Sequence, residues 1–271
     1  MELQKRYYSD EVHDDFAETH IKTQPLPKGF EFHSMNPFVV VRRFIVYRLI
    51  ATPVVLLWMR VFRGVKYVNK KCTKGYKKQG CFIYGNHTGF VTDAFNPTVL
   101  AFPRPAKVMV SEDSTSIKGL RWLLMDAGAL PIPSGLHLMP AFNGEIGRAI
   151  SKRNWVAIYP EAHIWPYYTG VRAFPAVSFR YPVRLNAPVF SYTVTFSKSK
   201  FFKHPKITVY IDGPFLPDKT LPLKQAQQKL RDEVYSAIKA RTDEFSTYKY
   251  KYDYIYRPKE ENGTNVDGAT E

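Results

Sequence analysis

Short apolar runs alternate with longer amphipathic segments through the middle of the chain. The apolar runs have the length and the β-branched or aromatic content of buried strands, and they read CFIYG, AKVMV, WVAIYP, APVFSYTVTF and KITVYIDG. Two of the segments between them have helical spacing and read SIKGLRWLLMDAG and FNGEIGRAISKR. This alternation predicts an α/β fold in which a mixed, mostly parallel sheet is flanked by helices.

A longer apolar segment, residues 36–62, precedes these runs. It contains four arginines, and Pro53 interrupts it, so no stretch reaches the ~18 to 20 uninterrupted apolar residues of a membrane-spanning helix. We expect one or two membrane-interfacial helices, with Phe44, Leu49 and Trp58 in the acyl boundary and the arginines near lipid phosphates. A core helix with a basic exposed face is the alternative.

The C-terminal part of the chain contains three different patterns. LKQAQQKLRDEVYSAIKARTDEF carries apolar side chains at helical spacing, which predicts an amphipathic helix packed on the sheet. Tyrosines then alternate with other residues over 248–256, which predicts an extended segment, either an edge strand or an interfacial aromatic row. The polar stretch EENGTNVDGATE is expected to be disordered.

These patterns divide the chain into four parts. We expect a polar N-terminal extension (1–35), an interfacial helical segment (36–65), a main domain (66–247), and a tyrosine-rich segment with a disordered tail (248–271). The N-terminus has neither the basic start nor the apolar core of a signal peptide, so we expect a cytoplasmic protein. Cys72 and Cys81 are the only cysteines and indicate reduced thiols.

The net charge of the chain indicates what kind of partner it binds. There are 39 Lys and Arg against 24 Asp and Glu, which gives a formal net charge of +15 and predicts a negatively charged partner. No RNP-type motif, Cys/His zinc spacing or glycine-rich phosphate loop supports nucleic acid as that partner. An anionic membrane surface is favoured, and the lysines of KYVNKKCTKGYKK would add to the attraction.

Candidate chemistry begins at the end of the first predicted sheet strand. His87 follows FIYGN directly, at the strand end where open α/β sheets place their ligand crevices. Imidazole accepts a proton at neutral pH, and Asp93 is the nearest carboxylate in sequence that could orient it. On a helix the two side chains would lie roughly 120° apart, so a loop at Gly89, with its wide choice of dihedral angles, would have to bring them together. A catalytic pair and two polar loop residues both remain possible here.

A second polar cluster follows the strand WVAIYP. Glu161 and His163 emerge there, and two strand ends of one sheet can face a common crevice. His87, Asp93, Glu161 and His163 would also be a conceivable ligand set for a metal-dependent hydrolase. They do not show a recognised metal-binding spacing, and we expect no metal.

Four blocks resemble the glycerolipid acyltransferases of the bacterial lysophosphatidate acyltransferase type. GNHTGFVTD resembles the Asn-His-x4-Asp block, GALPIP the strand block that follows, YPEAH the Phe-Pro-Glu-Gly-Thr-Arg block, and NAPVFSYTVTF the last strand block. Their order and spacing agree over approximately residues 75–215.

The resemblance implies O-acyl transfer from acyl-CoA or acyl carrier protein to a glycerolipid hydroxyl, with lysophosphatidate or a related lysophospholipid as acceptor and no cofactor. It implies that His87 is the general base, that Asp93 orients it, and that Glu161 belongs to the acceptor site. Asn86, directly before the base, is a candidate for positioning the turn at the substrate site.

Three departures from the family pattern concern the same site. The His-to-Asp spacing is one residue longer, and Thr92 stands at the usual Asp position. Ala162 and His163 replace Gly and Thr after Glu161 without a following Arg, and Ser134 stands where the family commonly has another Arg. A phosphate-bearing acceptor would need substitutes, for which the candidates are His163, Lys107, Lys118 and Arg172. A membrane-bound, inactive acyltransferase-like protein is therefore a further hypothesis.

Overall fold

The computed structural model describes residues 2–17, 23–89, 91–117, 119–200 and 202–258. The strands in these ranges are β1 (Gln4–Tyr8), β2 (Lys66–Val68), β3 (Cys81–Gly85), β4 (Ala106–Val110), β5 (Ala129–Pro131), β6 (Trp155–Ile158), β7 (Val189–Ser197), β8 (Lys206–Phe215) and β9 (Tyr252–Tyr256). The α-helical segments are α1 (Pro37–Phe44), α2 (Thr52–Leu57), α3 (Asn96–Ala101), α4 (Arg121–Asp126), α5 (Met139–Ser151), α6 (Arg180–Leu185) and α7 (Leu223–Phe245).

Seven of the strands form one sheet in the order β2-β8-β7-β3-β6-β4-β5. Neighbouring strands are parallel except β7 and β8, which form an antiparallel pair. The five apolar runs of the sequence are the strands β3, β4, β6, β7 and β8. The predicted α/β fold with a mixed, mostly parallel sheet is therefore confirmed.

Helices cover both faces of the sheet, which explains why β3 is apolar throughout. Phe82 and Tyr84 belong to a core layer with side chains of α5 and α7, while Cys81 and Ile83 belong to a layer with side chains of α2 and α3. All five residues of β3 are buried as a result. Helix α7 confirms its predicted amphipathic pattern, because its buried side chains include Leu230 and others at helical spacing.

The N-terminal apolar segment corrects one expectation. It is one continuous helix, Pro37–Phe62, in which π-helical turns at Ile45–Ala51 and Trp58–Phe62 alternate with α1 and α2. Pro53 does not interrupt this helix, since it lies just after a π-helical turn, where the hydrogen-bond pattern is already shifted. By length and composition alone the helix could cross a membrane, a test that core helices of soluble proteins also pass.

The two ends of the described chain meet in a separate two-stranded sheet. Strand β9 contains the predicted alternating tyrosines, but it pairs in parallel with β1 and not with the edge of the main sheet. The Tyr254 ring stacks on Trp165 with a centroid distance of 5.0 Å, and the Arg6 guanidinium lies 3.6 Å from the centre of the Tyr252 ring. The tail that was expected to be disordered lies outside the described residues.

Candidate active site

The sequence-predicted pair His87 and Asp93 meets in the structure. His87 Nδ1 lies 2.9 Å from Asp93 Oδ2, and the Gly89 N–H donates to the same oxygen at 3.0 Å. The Asp93 side chain is only 4% exposed, whereas that of His87 is 21% exposed. An ionised Asp93 therefore holds the proton of His87 on Nδ1 and leaves Nε2 as the proton acceptor.

The loop between the two residues explains how the longer spacing is accommodated. The backbone folds into turns, with the Asp93 N–H donating to the Gly89 carbonyl at 3.0 Å. Gly89 is required for space: a Cβ atom there would lie 2.2 Å from Thr92 Oγ1 and 2.4 Å from Asp93 Oδ1. Its φ angle is not in the positive range, so the expected reason, unusual dihedral angles, was wrong.

Burial sets the electrostatics of the pair. Desolvation raises the pKa of Asp93, and the hydrogen bond and charge of His87 and the backbone N–H groups of Gly89 and Thr88 oppose that rise. A carboxylate in such a dry position interacts more strongly with a positive charge than it would in water. Asp93 is therefore well placed to stabilise an imidazolium at His87.

Asn86 connects the end of β3 to the neighbouring strand β7. Its side chain donates to the Val194 carbonyl at 3.0 Å and accepts from the Val194 N–H at 2.8 Å, so it continues the β3–β7 pairing beyond the last strand residue. Both amide groups are satisfied in this way and the residue is buried. Asn86 therefore fixes the turn that carries His87, with both ends of its side-chain amide bonded to Val194.

Glu161 and Arg172 form a buried ion pair next to the loop that carries His87. Glu161 Oε2 accepts from Arg172 Nε at 3.1 Å and from Nη2 at 2.9 Å. Arg172 is completely buried and also donates to the carbonyls of His163 and Glu11. Burial raises the pKa of Glu161, and the charges of Arg172 and His87 oppose this. The guanidinium of Arg172 is thus enclosed by protein groups and has no exposed surface.

The other predicted phosphate ligands are scattered. His163 Nδ1 lies 3.4 Å from Asp15 Oδ2 at the surface. Lys107 is buried among Arg43, Glu145 and Asp126, where desolvation lowers its pKa to about 8, and it is not at the carboxyl edge of the sheet. Lys118 lies outside the described residues.

The position of the missing motif arginine is occupied by a hydrogen-bonded pair. The Ser134 hydroxyl donates to Glu112 Oε2 at 2.7 Å, and its N–H donates to Oε1 at 3.0 Å. A carboxylate, not a cation, therefore stands beside this position. In the described part of the chain, no three His, Cys, Asp or Glu side chains are placed to hold a metal ion, so the metal-hydrolase alternative finds no ligand set there.

Sequence reasoning missed two residues at this site, Tyr159 and Tyr192. The Tyr159 ring stacks on the imidazole of His87 with a centroid distance of 4.4 Å and an interplanar angle of 24°. Tyr192 comes from the neighbouring strand β7 and contacts Tyr159. Tyr159 lies in YPEAH, directly before the Pro160 and Glu161 that were noticed, but its contact with His87 depends on the sheet.

Comparison with known proteins identifies a solved structure with a similar fold. No family model matches the sequence, and no curated protein matches it. Among solved structures, the chain is similar to the crystal structure of the 1-acyl-sn-glycerophosphate (LPA) acyltransferase PlsC from Thermotoga maritima. The similarity covers 78% of this chain and 89% of that chain at 16% identity, with a TM-score of 0.55. The protein therefore shares the overall fold of a glycerolipid acyltransferase.

Proposed function

We propose that this protein is an O-acyltransferase that moves a fatty acyl group from acyl-CoA or acyl carrier protein to a hydroxyl group of a glycerolipid. The observation that carries the proposal is the His87–Asp93 hydrogen bond of 2.9 Å at the carboxyl end of β3. It supplies a general base, and it lies in the fold of a known acyltransferase.

The proposed reaction uses His87 twice. The acceptor hydroxyl gives its proton to His87 Nε2 while the hydroxyl oxygen attacks the thioester carbonyl carbon. Asp93 balances the positive charge of the imidazolium that forms. The tetrahedral intermediate then expels the thiolate, which receives the proton from Nε2 as the ester product forms. The proton released by the acceptor thus ends on the thiol, and the step needs neither a metal ion nor a cofactor.

The acceptor is a lysophospholipid or a related glycerolipid. Arg172, a candidate substitute for the missing motif arginines, is enclosed, and Ser134 is bonded to Glu112, so neither residue offers an accessible cation to a phosphate. This argument favours an acceptor whose recognition does not depend on a phosphate monoester, with lysophosphatidate as the comparison compound.

We also propose that the enzyme works on an anionic membrane, at the cytoplasmic face of the cell membrane, as a peripheral or monotopic protein. The helix Pro37–Phe62 supports this, because Phe38, Leu49, Val54 and Leu57 are more than half exposed. Apolar side chains on an open helix face are a common feature of membrane-binding surfaces. The formal charge of +15 adds attraction to anionic lipids.

An acceptor screen with one radiolabelled acyl thioester tests the function. We expect acylation of at least one lysoglycerolipid, and a His87→Ala variant should be slower by roughly 10²- to 10⁴-fold while remaining folded. His204→Ala, on the exposed loop between β7 and β8, is the matched control and should keep its rate. No transfer to any acceptor would favour the inactive, membrane-bound alternative, and a His87→Ala variant with more than about a tenth of the wild-type rate would exclude His87 as the base.

A further inference from the structure

Two tyrosines, the partly buried Tyr159 and the fully buried Tyr192, connect the His87 loop to the centre of the sheet. The Tyr192 hydroxyl donates a hydrogen bond to the Tyr159 hydroxyl, which donates to the backbone carbonyl of Asp93. Tyr159 comes from the end of β6 and Tyr192 from β7, the two strands that flank β3. The line of hydroxyl groups therefore joins both neighbours of the catalytic strand to the residue that holds His87.

The ring of Tyr159 acts on His87 as well. It covers one face of the imidazole at a centroid distance of 4.4 Å, which restricts rotation of that side chain about its χ2 angle. An aromatic face also attracts the positive charge that the imidazole acquires when it takes a proton. The same residue thus contacts both members of the pair, the base through its ring and Asp93 through its hydroxyl.

The surroundings keep both tyrosines neutral and in place. Burial raises the pKa of each hydroxyl well above its ordinary value, so both remain hydrogen-bond donors throughout the physiological range. Gly85, the last residue of β3, makes room for Tyr192, because a Cβ atom there would lie 2.3 Å from Tyr192 Cζ. The packing of the sheet strands, including the space left at Gly85, therefore fixes the position of the two tyrosines.

We infer that Tyr159 is a positioning residue that, with Tyr192 behind it, holds Asp93 and His87 in hydrogen-bonding register across their six-residue spacing. The inference rests on the proposed acyl transfer and adds a residue to it. The hydrogen bonds of the Asp93 side chain go to its own loop, at His87, Gly89 and Thr88. The carbonyl bond from Tyr159 fixes its backbone independently of these contacts.

The test compares Tyr159→Phe with Tyr84→Phe. Both variants lose one hydroxyl that donates to a backbone carbonyl, but the Tyr84 hydroxyl binds Ser178, in the core layer away from His87. We expect kcat of Tyr159→Phe to fall about tenfold with KM unchanged within about twofold, because a displaced base slows the chemical step. Tyr84→Phe should keep kcat, and Tyr192→Phe should show a smaller loss than Tyr159→Phe.

A double variant separates positioning from a general packing effect. If Tyr159 acts through Asp93, Tyr159→Phe adds no further loss of kcat in an Asp93→Asn background. Equal, multiplicative losses in both backgrounds would overturn the inference, as would an unchanged kcat in Tyr159→Phe. If Tyr159→Phe does not fold, Tyr192→Phe undergoes the same comparison, and an unchanged kcat there counts against the hydroxyl line.

A second measurement does not depend on acyl transfer. Proton NMR reports the Nδ1 proton of His87, assigned by its absence in His87→Ala, and exchange with water broadens its signal when the hydrogen bond loosens. We expect broadening in Tyr159→Phe and a wild-type signal in Tyr84→Phe; the same signal in both variants would overturn the inference. A chain without acyltransferase activity would refute the proposed function, and this measurement would still decide the role of Tyr159.

Discussion

The candidate base and its carboxylate differ in exposure, and that difference suits their roles. The His87 side chain is partly exposed, while Asp93 is almost completely buried and accepts hydrogen bonds only from its own loop in the described structure. A buried acceptor fixes the tautomer of the imidazole, and an open edge lets a substrate hydroxyl approach Nε2. Each residue therefore has the environment that its proposed step requires.

Substitution of the two nearby carboxylates separates catalysis from stability. Asp93→Asn should lower the acyl-transfer rate by roughly 10²- to 10⁴-fold with little change in stability, because the amide can still bond but cannot balance an imidazolium. Glu161→Gln should instead destabilise the fold by about 3 kcal/mol, because it leaves the buried Arg172 without a counter-charge. Steady-state rates and urea denaturation measure the two effects. Near-normal rates in Asp93→Asn, together with a rate abolished in a stably folded Glu161→Gln, would show that Glu161 is the partner of His87.

The burial of Lys107 predicts that the stability of the fold depends on pH. Its folded pKa of about 8 lies below the ordinary value of 10.5, so the folded protein binds the lysine proton more weakly than the unfolded chain does. The resulting loss of stability is complete below pH 8 and is relieved as pH rises toward 10.5. Lys107→Met should therefore be more stable than wild type by about 1 to 3 kcal/mol at pH 7, and the advantage should shrink by pH 9.5.

Urea denaturation at the two pH values measures the difference. Lys224→Met, an exposed substitution at the start of α7, is the control and should show no pH-dependent advantage. A constant difference between Lys107→Met and wild type at both pH values would mean that the charged ammonium group is not the source of the instability.

At the scale of elements, the helix Pro37–Phe62 has two different sides. Val55 and Met59 are buried in the core with α3, which joins the helix to the sheet, whereas Leu49, Val54 and Leu57 point outward. In the lysine-rich segment that follows, residues 66–78, fewer lysines are free to contact lipids than the composition indicated. Lys70 and Lys77 donate to the carbonyls of Val99 and Leu100, which leaves the exposed lysines of the segment to attract lipids: Lys66, Lys71, Lys74 and Lys78.

Binding to anionic vesicles should therefore have a salt-resistant and a salt-sensitive part. We expect most of the protein to stay bound at about 1 M salt, where charges are screened beyond about 3 Å, because apolar insertion is not screened. The double variant Leu49→Asp, Leu57→Asp should lose this resistant fraction, and Leu223→Asp, an apolar position on α7, should not. Co-sedimentation measures both fractions, and complete release of the wild type by salt alone would contradict insertion of the helix.

At the scale of the whole molecule, the N-terminal residues support the His87 loop indirectly. Trp165 and Tyr167 donate their N–H groups to the carbonyls of His87 and Thr88 at 3.1 and 2.9 Å. Trp165 in turn donates through its indole nitrogen to the Asp14 carbonyl at 2.8 Å. The segment 163–168 is thus held between the N-terminal residues on one side and the catalytic turn on the other.

Removal of residues 2–17 should loosen this arrangement. The truncated protein would lose β1, the Asp14 carbonyl and the Glu11 carbonyl that receives Arg172, so the amides of Trp165 and Tyr167 should exchange hydrogen faster by at least about tenfold. Amides within α7 serve as the internal reference and should exchange at wild-type rates. Unchanged protection of the two loop amides would show that the N-terminal residues do not stabilise the catalytic turn.

The sequence by itself determined the local elements and the positions of the chemistry. Apolar runs identified β3, β4, β6, β7 and β8, alternating tyrosines indicated β9, and the spacing of Leu230 and Ile238 identified α7, because these signals depend on residues close together in the chain. Strands β1 and β2 were not predicted. His87 stands at a strand end by its place in the sequence, and the six-residue distance to Asp93 can be closed by one turn. The contact between His87 and Asp93 was therefore predictable.

Only the tertiary structure decided which groups are free to act. Arg172 was a candidate for phosphate, but Glu161 and the carbonyls of two other segments enclose it. Tyr159 reaches His87 because β3 and β6 are neighbours in the sheet. Strand β1 pairs with β9, although almost the whole chain separates them in sequence. Such contacts join residues far apart in sequence, and their stability comes from burial and hydrogen bonds that exist only after the chain has folded. The local sequence pattern therefore cannot predict these contacts.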